Sequence, residues 1–459
     1  MGRTRARLAD GLRVTDLISL GVVGRAFPLT TVRSAVAASG KESQRQRLLP
    51  AHVVVYYVIA LSLFMQVSCQ EVLRCLLEGL QWLSLGGARL TVAGDSGISQ
   101  ARSRLGPEPV RRLHDAVVVP IARPQTRGAW YHRWRLVSLD GSTLDLQDSA
   151  ANAAYFGRPQ ASRGHSAFPQ LRFVSLVENG THVLFGSAWG PYQTAENPLA
   201  TRVLPHLKPG MLCLADRGFY GFASWQRARA TGADLLWRVK RNLRLPVEQR
   251  LADGSFLTTV YLDEKERRRQ RHGMVVRAVE YQLEGVADAD PVYRLITTVL
   301  DPEQAPADEL AALYHERWEI ETALDELKTH LRGRRIVLRS RTPELVEQEF
   351  YGLMMAHYAV RGLMHEAALE ADVDPDTLSF IHTVRVIRRT LPRAVALPPS
   401  GPSGLPSTTP GRTPRTAGDL QQRQAQPPRG ETQDEPLPAP SEDQGAAASH
   451  HPSNDHSRP

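Results

Sequence analysis

Apolar positions divide the chain into stretches of different period. From about 12 to 115 they recur at helical spacing. Val53 to Val67 (VVVYYVIALSLFMQV) is the most apolar run, and Gln70 to Leu80 continues it with helical periodicity. At about 15 residues the run falls short of the ~20 needed to span a bilayer, so it predicts a buried helix and no membrane partner. Gly97 to Pro107 predicts a short helix carrying Arg102 and Arg104, stopped by Gly-Pro and followed by another from Val110. That arrangement fits a helix-turn-helix touching DNA, or a plain helical connector.

From about 131 the period changes. Arg135 to Asp140, Phe173 to Glu178, Val183 to Trp189, Met211 to Asp216 and Asp234 to Lys240 are short apolar runs. Helical patterns at Ala195 to Leu207 and Phe222 to Thr231 separate the later ones. Such alternation predicts an α/β layer fold. Between 243 and 300 it stops. Leu257 to Leu262, Met274 to Glu284 and Val292 to Leu300 form a β-rich insertion, with Arg267-Arg-Arg-Gln-Arg271 expected at a hairpin end, as a solvated loop or a DNA contact. Helices follow at Glu309 to Leu331, Leu345 to Ala371 and Thr377 to Arg389. Beyond about 393 no Phe, Trp or Tyr occurs, and Pro, Gly, Ser, Gln and Ala dominate. A segment of that composition is expected to be disordered.

The helix predicted over 309–331 has a feature that amphipathicity does not explain. At about 100° per residue, Tyr314, Arg317, Glu321 and Lys328 fall within an arc of about 60°, along about 21 Å of axis. Leu313, Ile320, Leu324, Leu327 and Leu331 form the apolar stripe beside them, and His315, Glu319 and Glu326 are expected on a solvent face. Arg317 and Lys328 are expected at a largely exposed border. A column of one carboxylate, two cations and a phenol suits a metal ion and a run of phosphates; ordinary pairs one turn apart are the plainer explanation.

Charge adds to this. The net charge is +8 with a pI near 9.6, which fits a polyanionic partner. Arginine outnumbers lysine about tenfold, so Lys328 stands against the compositional bias. Cys69, Cys75 and Cys213 lack metal-site spacing, and their odd number argues against a disulfide scaffold; a reducing, cytoplasmic setting fits. The amino terminus has charge but no apolar signal core.

Two aspartates, Asp140 and Asp216, are expected where apolar strands end, and catalytic groups gather there in α/β sheets. With Glu321 they offer hard oxygen ligands suited to Mg²⁺, or Mn²⁺ in its place. Two such ions about 4 Å apart can hold the attacking and leaving oxygens of a phosphoryl transfer. Asp-Gly also commonly makes a turn, and Asp145 and Asp148 lie near enough to compete.

Tyr314, Arg317, Glu321 and Lys328 match in full a Tyr-x-x-Arg-x-x-x-Glu-(x)₆-Lys signature. With Leu139-Asp140-Gly, Leu214-Ala-Asp216-Arg-Gly, the β insertion and the Leu49-Pro50-Ala51 region, the chain from about 12 to 390 resembles the insertion sequence 4 family of bacterial DDE transposases. The resemblance implies an all-helical N-terminal DNA-binding domain (12–115). A ribonuclease-H-like α/β catalytic core (131–345, insertion 243–300), C-terminal helices (346–391) and a disordered tail (393–459) would follow. It implies that Asp140, Asp216 and Glu321 are catalytic and hold two Mg²⁺ ions. A metal-activated water would then cut double-stranded DNA at terminal inverted repeats, and the freed 3′-hydroxyl would attack target DNA. Tyr314, Arg317 and Lys328 would contact DNA, and the working unit would be a homodimer in a synaptic complex, in a nucleoid-associated setting. Some family members stack a flipped base on a tryptophan in the insertion. No Trp occurs from 241 to 300, which leaves Tyr261, Tyr281 or Tyr293 for that task. The alternative is a decayed or co-opted copy that binds DNA without cutting it.

Overall fold

A computed structural model describes residues 18–44, 49–74, 76, 93–161, 164–165, 168–282, 291–333 and 336–389. The predicted tail 393–459, residues 12–17 and most of the second half of the 70–80 run lie outside them. Among the described residues the strands are β1 Trp130–Tyr131, β2 Trp134–Asp145, β3 Gln160–Ala161, β4 Gly164–His165, β5 Gln170–Glu178, β6 Val183–Pro191, β7 Met211–Ala215, β8 Asp234–Arg238, β9 Gln249–Arg250, β10 Phe256–Val260, β11 Met274–Tyr281 and β12 Tyr293–Thr297. The helices are α1 Ile18–Ala26, α2 Leu29–Ala38, α3 Ala51–Leu63, α4 Asp95–Leu105, α5 Glu108–Val117, α6 Ala150–Phe156, α7 Glu196–Val203, α8 Phe222–Arg229, α9 Glu264–Arg269, α10 Ala307–His315, α11 Trp318–Asp325, α12 Pro343–Ala371 and α13 Phe380–Arg389.

One large sheet organises the molecule, in the order β6-β5-β2-β7-β8-β12-β11-β10-β9, with β1 paired to β2. β6, β5 and β2 run antiparallel to one another, and β2, β7 and β8 run parallel. The β insertion continues this sheet through the β8–β12 pairing instead of folding apart. Beyond β8 every pairing is antiparallel, which suits a stretch linked by hairpins.

β2 corrects an expectation. Asp140-Gly141 does not end the strand: the ladder to β5 runs on from Asp140↔Ser175 to Asp145↔Gln170. Nine cross-strand partners override the local turn preference of Asp-Gly. A Cβ at Gly141 would lie 3.1 Å from both Phe173 O and Glu196 Oε1, so glycine lets Glu196 approach the strand closely. The Arg267 region is also corrected. It is the short helix α9, capped by the Asp263 side chain, with Arg267 and Arg268 paired to Glu264.

Period-2 alternation divides the sheet's faces. Val137, Leu139, Cys213, Ala215, Leu235 and Trp237 join the large core. Trp134, Leu136, Leu212, Leu214, Leu236, Val279 and Leu295 join a smaller one that also takes Leu310, Leu313 and Tyr314 from α10.

The large core includes α3, whose residues Val53 to Leu63 are all buried, as its unbroken apolarity predicts. Its tyrosines are satisfied inside: Tyr56 donates to Phe27 O (2.7 Å) and Tyr57 to Cys69 O (3.2 Å). α3 crosses α12 backbone to backbone, for a Cβ at Gly352 would lie 2.7 Å from Val58 O. Arg339 donates to Leu61 O and Phe64 O (2.9 Å each) and Val67 O (2.6 Å), satisfying carbonyls at the end of α3. Arg102 is not a DNA contact: it is buried and donates to Gln348 Oε1, Ser340 Oγ and Leu345 O. The N-terminal helices thus share a core with α12. Arg104 is exposed. No helix among the described residues is long and apolar enough to cross a membrane.

Candidate active site

The alternation that builds the smaller core also aims the candidate chemistry. Asp140 has the parity of Leu136 on β2, Asp216 that of Leu214 just past β7, and Arg238 that of Leu236 on β8. All three side chains therefore emerge on the α10–α11 face. The registers set them level, since Leu139 pairs with Ala215 and Ala215 with Trp237. Tyr281 and Tyr293 share parity with Val279 and Leu295, and they pair across β11 and β12 at the same edge.

The helix facing them is not the regular one predicted over 309–331. Around Glu316 and Arg317 it tightens: Glu316, Arg317, Glu319 and Ile320 each donate to the carbonyl three residues back. From Glu326 to Leu331 it loosens into π-helix. Such bulges often mark functional sites. Tyr314, Arg317, Glu321 and Lys328 nevertheless face the same strands.

Arg317 is the hub. Its guanidinium stands 3.5 Å from Asp140 Oδ2 and 3.5 Å from Glu321 Oε1. Burial opposes its charge, but Tyr314, Asp140, Asp216 and Glu321 together hold its pKa above the ordinary value. Asp216 Oδ1 accepts from Tyr314 Oη at 3.4 Å and lies 3.8 Å from Arg238. Lys328 Nζ donates to Ser142 Oγ at 2.9 Å, two residues along from Asp140. Burial, then Arg332, lowers the Lys328 pKa.

Two exposure expectations fail. The Arg317 side chain is only 14% exposed, and Lys328 is half-buried, because the sheet covers that border. Glu326 is buried against Arg361, and Glu319 donates nothing to a solvent face: it accepts the Gly180 amide. α12 and the β5–β6 turn cover the face that periodicity assigned to water.

Burial pushes the Asp140 carboxyl up to about 6. The Gly141 amide (2.8 Å) and Arg317 pull it down, and Glu196 and Glu321 push it up. Glu196, at the start of α7, is thus a fourth carboxylate that no motif spacing pointed to. The charge balance suits a cation: Asp140 feels the charges of Glu196 and Glu321, and the compensation is Arg317, with Arg238 at Asp216, a setting hard divalent ions favour.

On the other side of Asp216, Arg238 lies over the Tyr293 ring at 4.4 Å. Tyr293 stacks on Tyr281 with centroids 5.3 Å apart, and His315 packs edge-on to both. Tyr261 is excluded from this group. It follows Val260, whose partner Met274 is at the far end of β11 from Tyr281. Trp318, between Arg317 and Glu319, is 61% exposed, and the sequence reading passed over it.

Residues 17–115 match the insertion element 4 transposase N-terminal model, and residues 112–359 match the transposase DDE domain model. The transposase InsG of insertion sequence element IS4 from Escherichia coli (strain K12) is 28% identical over 400 residues, 85% of this chain and 84% of its own. The putative transposase InsZ of the same organism is 26% identical over 201 residues, 42% of this chain and 62% of its own. Among solved structures, the piggyBac transposase synaptic complex with hairpin DNA gives a TM-score of 0.43 at 13% identity, over 89% of this chain and 88% of that one. The DDE model spans more than half the chain and encloses both aspartates, the β insertion and the complete signature. The chain belongs to the insertion sequence 4 group of DDE transposases, DNA phosphoryl-transfer enzymes that use divalent metal ions.

Proposed function

We propose that Asp140, Asp216 and Glu321 are the catalytic carboxylates and hold two Mg²⁺ ions, for which Mn²⁺ can substitute, during cleavage and joining of transposon ends. The supporting observation is the position of Arg317. One guanidinium lies 3.5 Å from both Asp140 and Glu321 and feels the charge of Asp216, so it links three carboxylates from distant parts of the sequence. Bound ions would supply Lewis-acid charge for the attacking and leaving oxygens of the phosphodiester.

The chain's own groups then have distinct tasks. Arg317 compensates the carboxylates, and its planar fork would suit bidentate contact with a phosphate. Tyr314 holds Asp216 in place by its hydroxyl. Lys328, tethered to Ser142, offers a point charge to the phosphate beside Asp140. Tyr281 and Tyr293 give a stacking platform for an unpaired base next to Asp216. The partners are double-stranded DNA carrying terminal inverted repeats, target DNA and a second copy of the chain in a synaptic homodimer. The setting is the cytoplasm, at the nucleoid.

The test uses the full chain, Mg²⁺ and linear DNA containing the sequences that bracket its own coding region. Cleavage at those ends with a free 3′-hydroxyl is expected. It should vanish with chelator and in Asp140→Asn, Asp216→Asn and Glu321→Gln, each still binding DNA. Equal cutting of unrelated DNA would instead indicate a nuclease, and cutting by the Asp140→Asn variant would remove that residue from the site.

A further inference from the structure

The strands that carry the active site do not end together. β2 pairs with β7 as far as Leu139↔Ala215 and then runs on to Asp145, so from Asp140 onward the edge of β2 that faced β7 is open. Backbone N–H groups two apart in a strand point the same way. Arg135 N donates to Gly210 O, just before β7, and Gly141 shares its parity, so the Gly141 N–H points into the open edge. Asp140 Oδ1 accepts it at 2.8 Å. The Asp140 carboxylate thus leans over the end of β7, where groups from both faces of the sheet can reach it.

From one face come Arg317 and Glu321. From the other comes Glu196. Its Oε1 and Cδ lie 3.1 and 3.2 Å from the place a Cβ of Gly141 would take. The next residue, Asn197, donates to Gly218 O at 3.3 Å, in the loop that follows Asp216. The first turn of α7 therefore touches both aspartate-bearing segments. We propose that Glu196 is a further ligand of the divalent-ion centre, holding the ion at Asp140 from the face of the sheet opposite Glu321. This rests on the assignment of Asp140 to the metal site; the use of a divalent cation is the family's own.

Three observations support it. First, Glu196 is half-buried, and among the described residues no hydrogen bond or ion pair engages its carboxylate. Asp140 and Glu321 have Arg317, and Asp216 has Arg238. Carboxylates held together without a counter-charge repel, and a shared cation turns that repulsion into coordination. Second, Glu196 bears on Asp140 more than Glu321 does. Burial is the main reason the Asp140 pKa is high, and of the carboxylates that raise it further Glu196 ranks ahead of Glu321. Third, two divalent ions beside Arg317 and Arg238 carry more positive charge than three carboxylates and a phosphate cancel. A fourth carboxylate reduces that excess, and charge away from water needs such pairing.

The plainer role for a glutamate in the first turn of a helix is to favour the helix end electrostatically. That role predicts a lower thermal midpoint for Glu196→Gln in chelator and unchanged metal binding, so the two are separable.

The test measures Mn²⁺ binding to the full chain by the paramagnetic resonance of the free ion. It is run without DNA and with a precleaved duplex of the sequences bracketing the coding region, lacking its 3′-hydroxyl. Glu196→Gln should weaken Mn²⁺ binding about tenfold or more, as loss of one charged ligand does at hard-cation sites, with the thermal midpoint in chelator unchanged. Glu196→Cys should bind Cd²⁺ about tenfold or more tighter than the parent does, because a thiolate is a soft ligand. Asp140→Asn is the control and should lose Mn²⁺ binding. Parent-like Mn²⁺ binding by Glu196→Gln, with Asp140→Asn impaired, overturns the proposal and leaves Asp140 in the site. Parent-like binding by Asp140→Asn overturns the reading on which the proposal rests, and the proposal with it. Absence of saturable Mn²⁺ binding by the parent in both states does the same. If Glu196→Gln fails to fold, Glu196→Cys decides, and a Cd²⁺ affinity no higher than the parent's overturns the proposal.

Discussion

On one face of the sheet, Val137, Leu139, Cys213, Ala215 and Trp237 enter a core that also takes in α3 and α12. On the other, the alternate positions of the same strands pass from Leu136, Leu214 and Leu236 to Asp140, Asp216 and Arg238. The change happens at one level across three neighbouring strands. The first face is thick and apolar, and it also takes Ile320, Ala323 and Leu324 of α11. The second is covered by Leu310, Leu313 and Tyr314 of α10, and its apolar cover ends where charge begins. A fold whose stability rests chiefly on one face can leave carboxylates close together on the other, where their repulsion costs less than the core supplies.

The widest test of that division is a pair of variants. Phe350 is fully buried and packs edge-to-face on Phe173 at 5.6 Å. Phe350→Ala should cost about 3–5 kcal/mol in urea unfolding. Asp140→Ala should abolish end cleavage and leave unfolding unchanged or slightly more favourable to the fold. Comparable destabilisation by both would show that the faces are not independent.

Arg102 and Arg104 sharpen the same contrast within one helix. Arg102→Ala removes three buried acceptors' partner and should destabilise by about 3 kcal/mol. Arg104→Ala, at an exposed position, should leave stability within about 0.5 kcal/mol. If Arg102→Ala unfolds like the parent, its hydrogen bonds to Gln348, Ser340 and Leu345 are not structural supports.

These two arginines also show what the sequence discloses. The uniform apolarity of 53–63 and the strand periods were legible because burial repeats along the chain. The family signature pointed to Asp140, Asp216, Tyr314, Arg317, Glu321 and Lys328, whose roles are the reading proposed above. What escaped depends on remote partners. Arg102 looked like a surface cation because Gln348 is 246 positions away. Asp140 looked like a strand end because nothing local announces the ladder to β5. Glu319 and Glu326 looked solvated because a helical wheel does not show α12 or the β5–β6 turn. Glu196 had no motif at all; the start of α7 brings it to the strand, close against Gly141.

The acidic face should also have its own pH dependence. The folded-state pKa of Asp140 is raised from 3.8 to about 6, so the folded protein binds its proton more tightly than the unfolded chain. The resulting stability is fully present below pH about 4 and is lost as pH rises through about 6. In chelator, the parent should lose up to about 2–3 kcal/mol across that window relative to Asp140→Asn. Mg²⁺ should reverse the trend by favouring the ionised form. A parent and variant with parallel pH profiles in chelator would mean that Asp140 is not desolvated as the geometry indicates.

Lys328 should give the smallest effect, because its partner is a neutral hydroxyl rather than a carboxylate. Removing the Nζ–Ser142 Oγ bond by Lys328→Ala leaves Ser142 half-buried and open to water, so the stability cost should stay near or below about 1 kcal/mol. Its proposed task is one phosphate beside Asp140. Loss of one neutralised phosphate should flatten the salt dependence of end binding by about 0.9 in log–log slope, with little change between sequences. Lys328→Arg should restore the slope without fully restoring cleavage, since a planar fork does not replace a compact ammonium held by Ser142. A slope unchanged in Lys328→Ala would show that this side chain serves only to tie the π-helical turn to β2, and that the acidic face meets DNA through Arg317 without it.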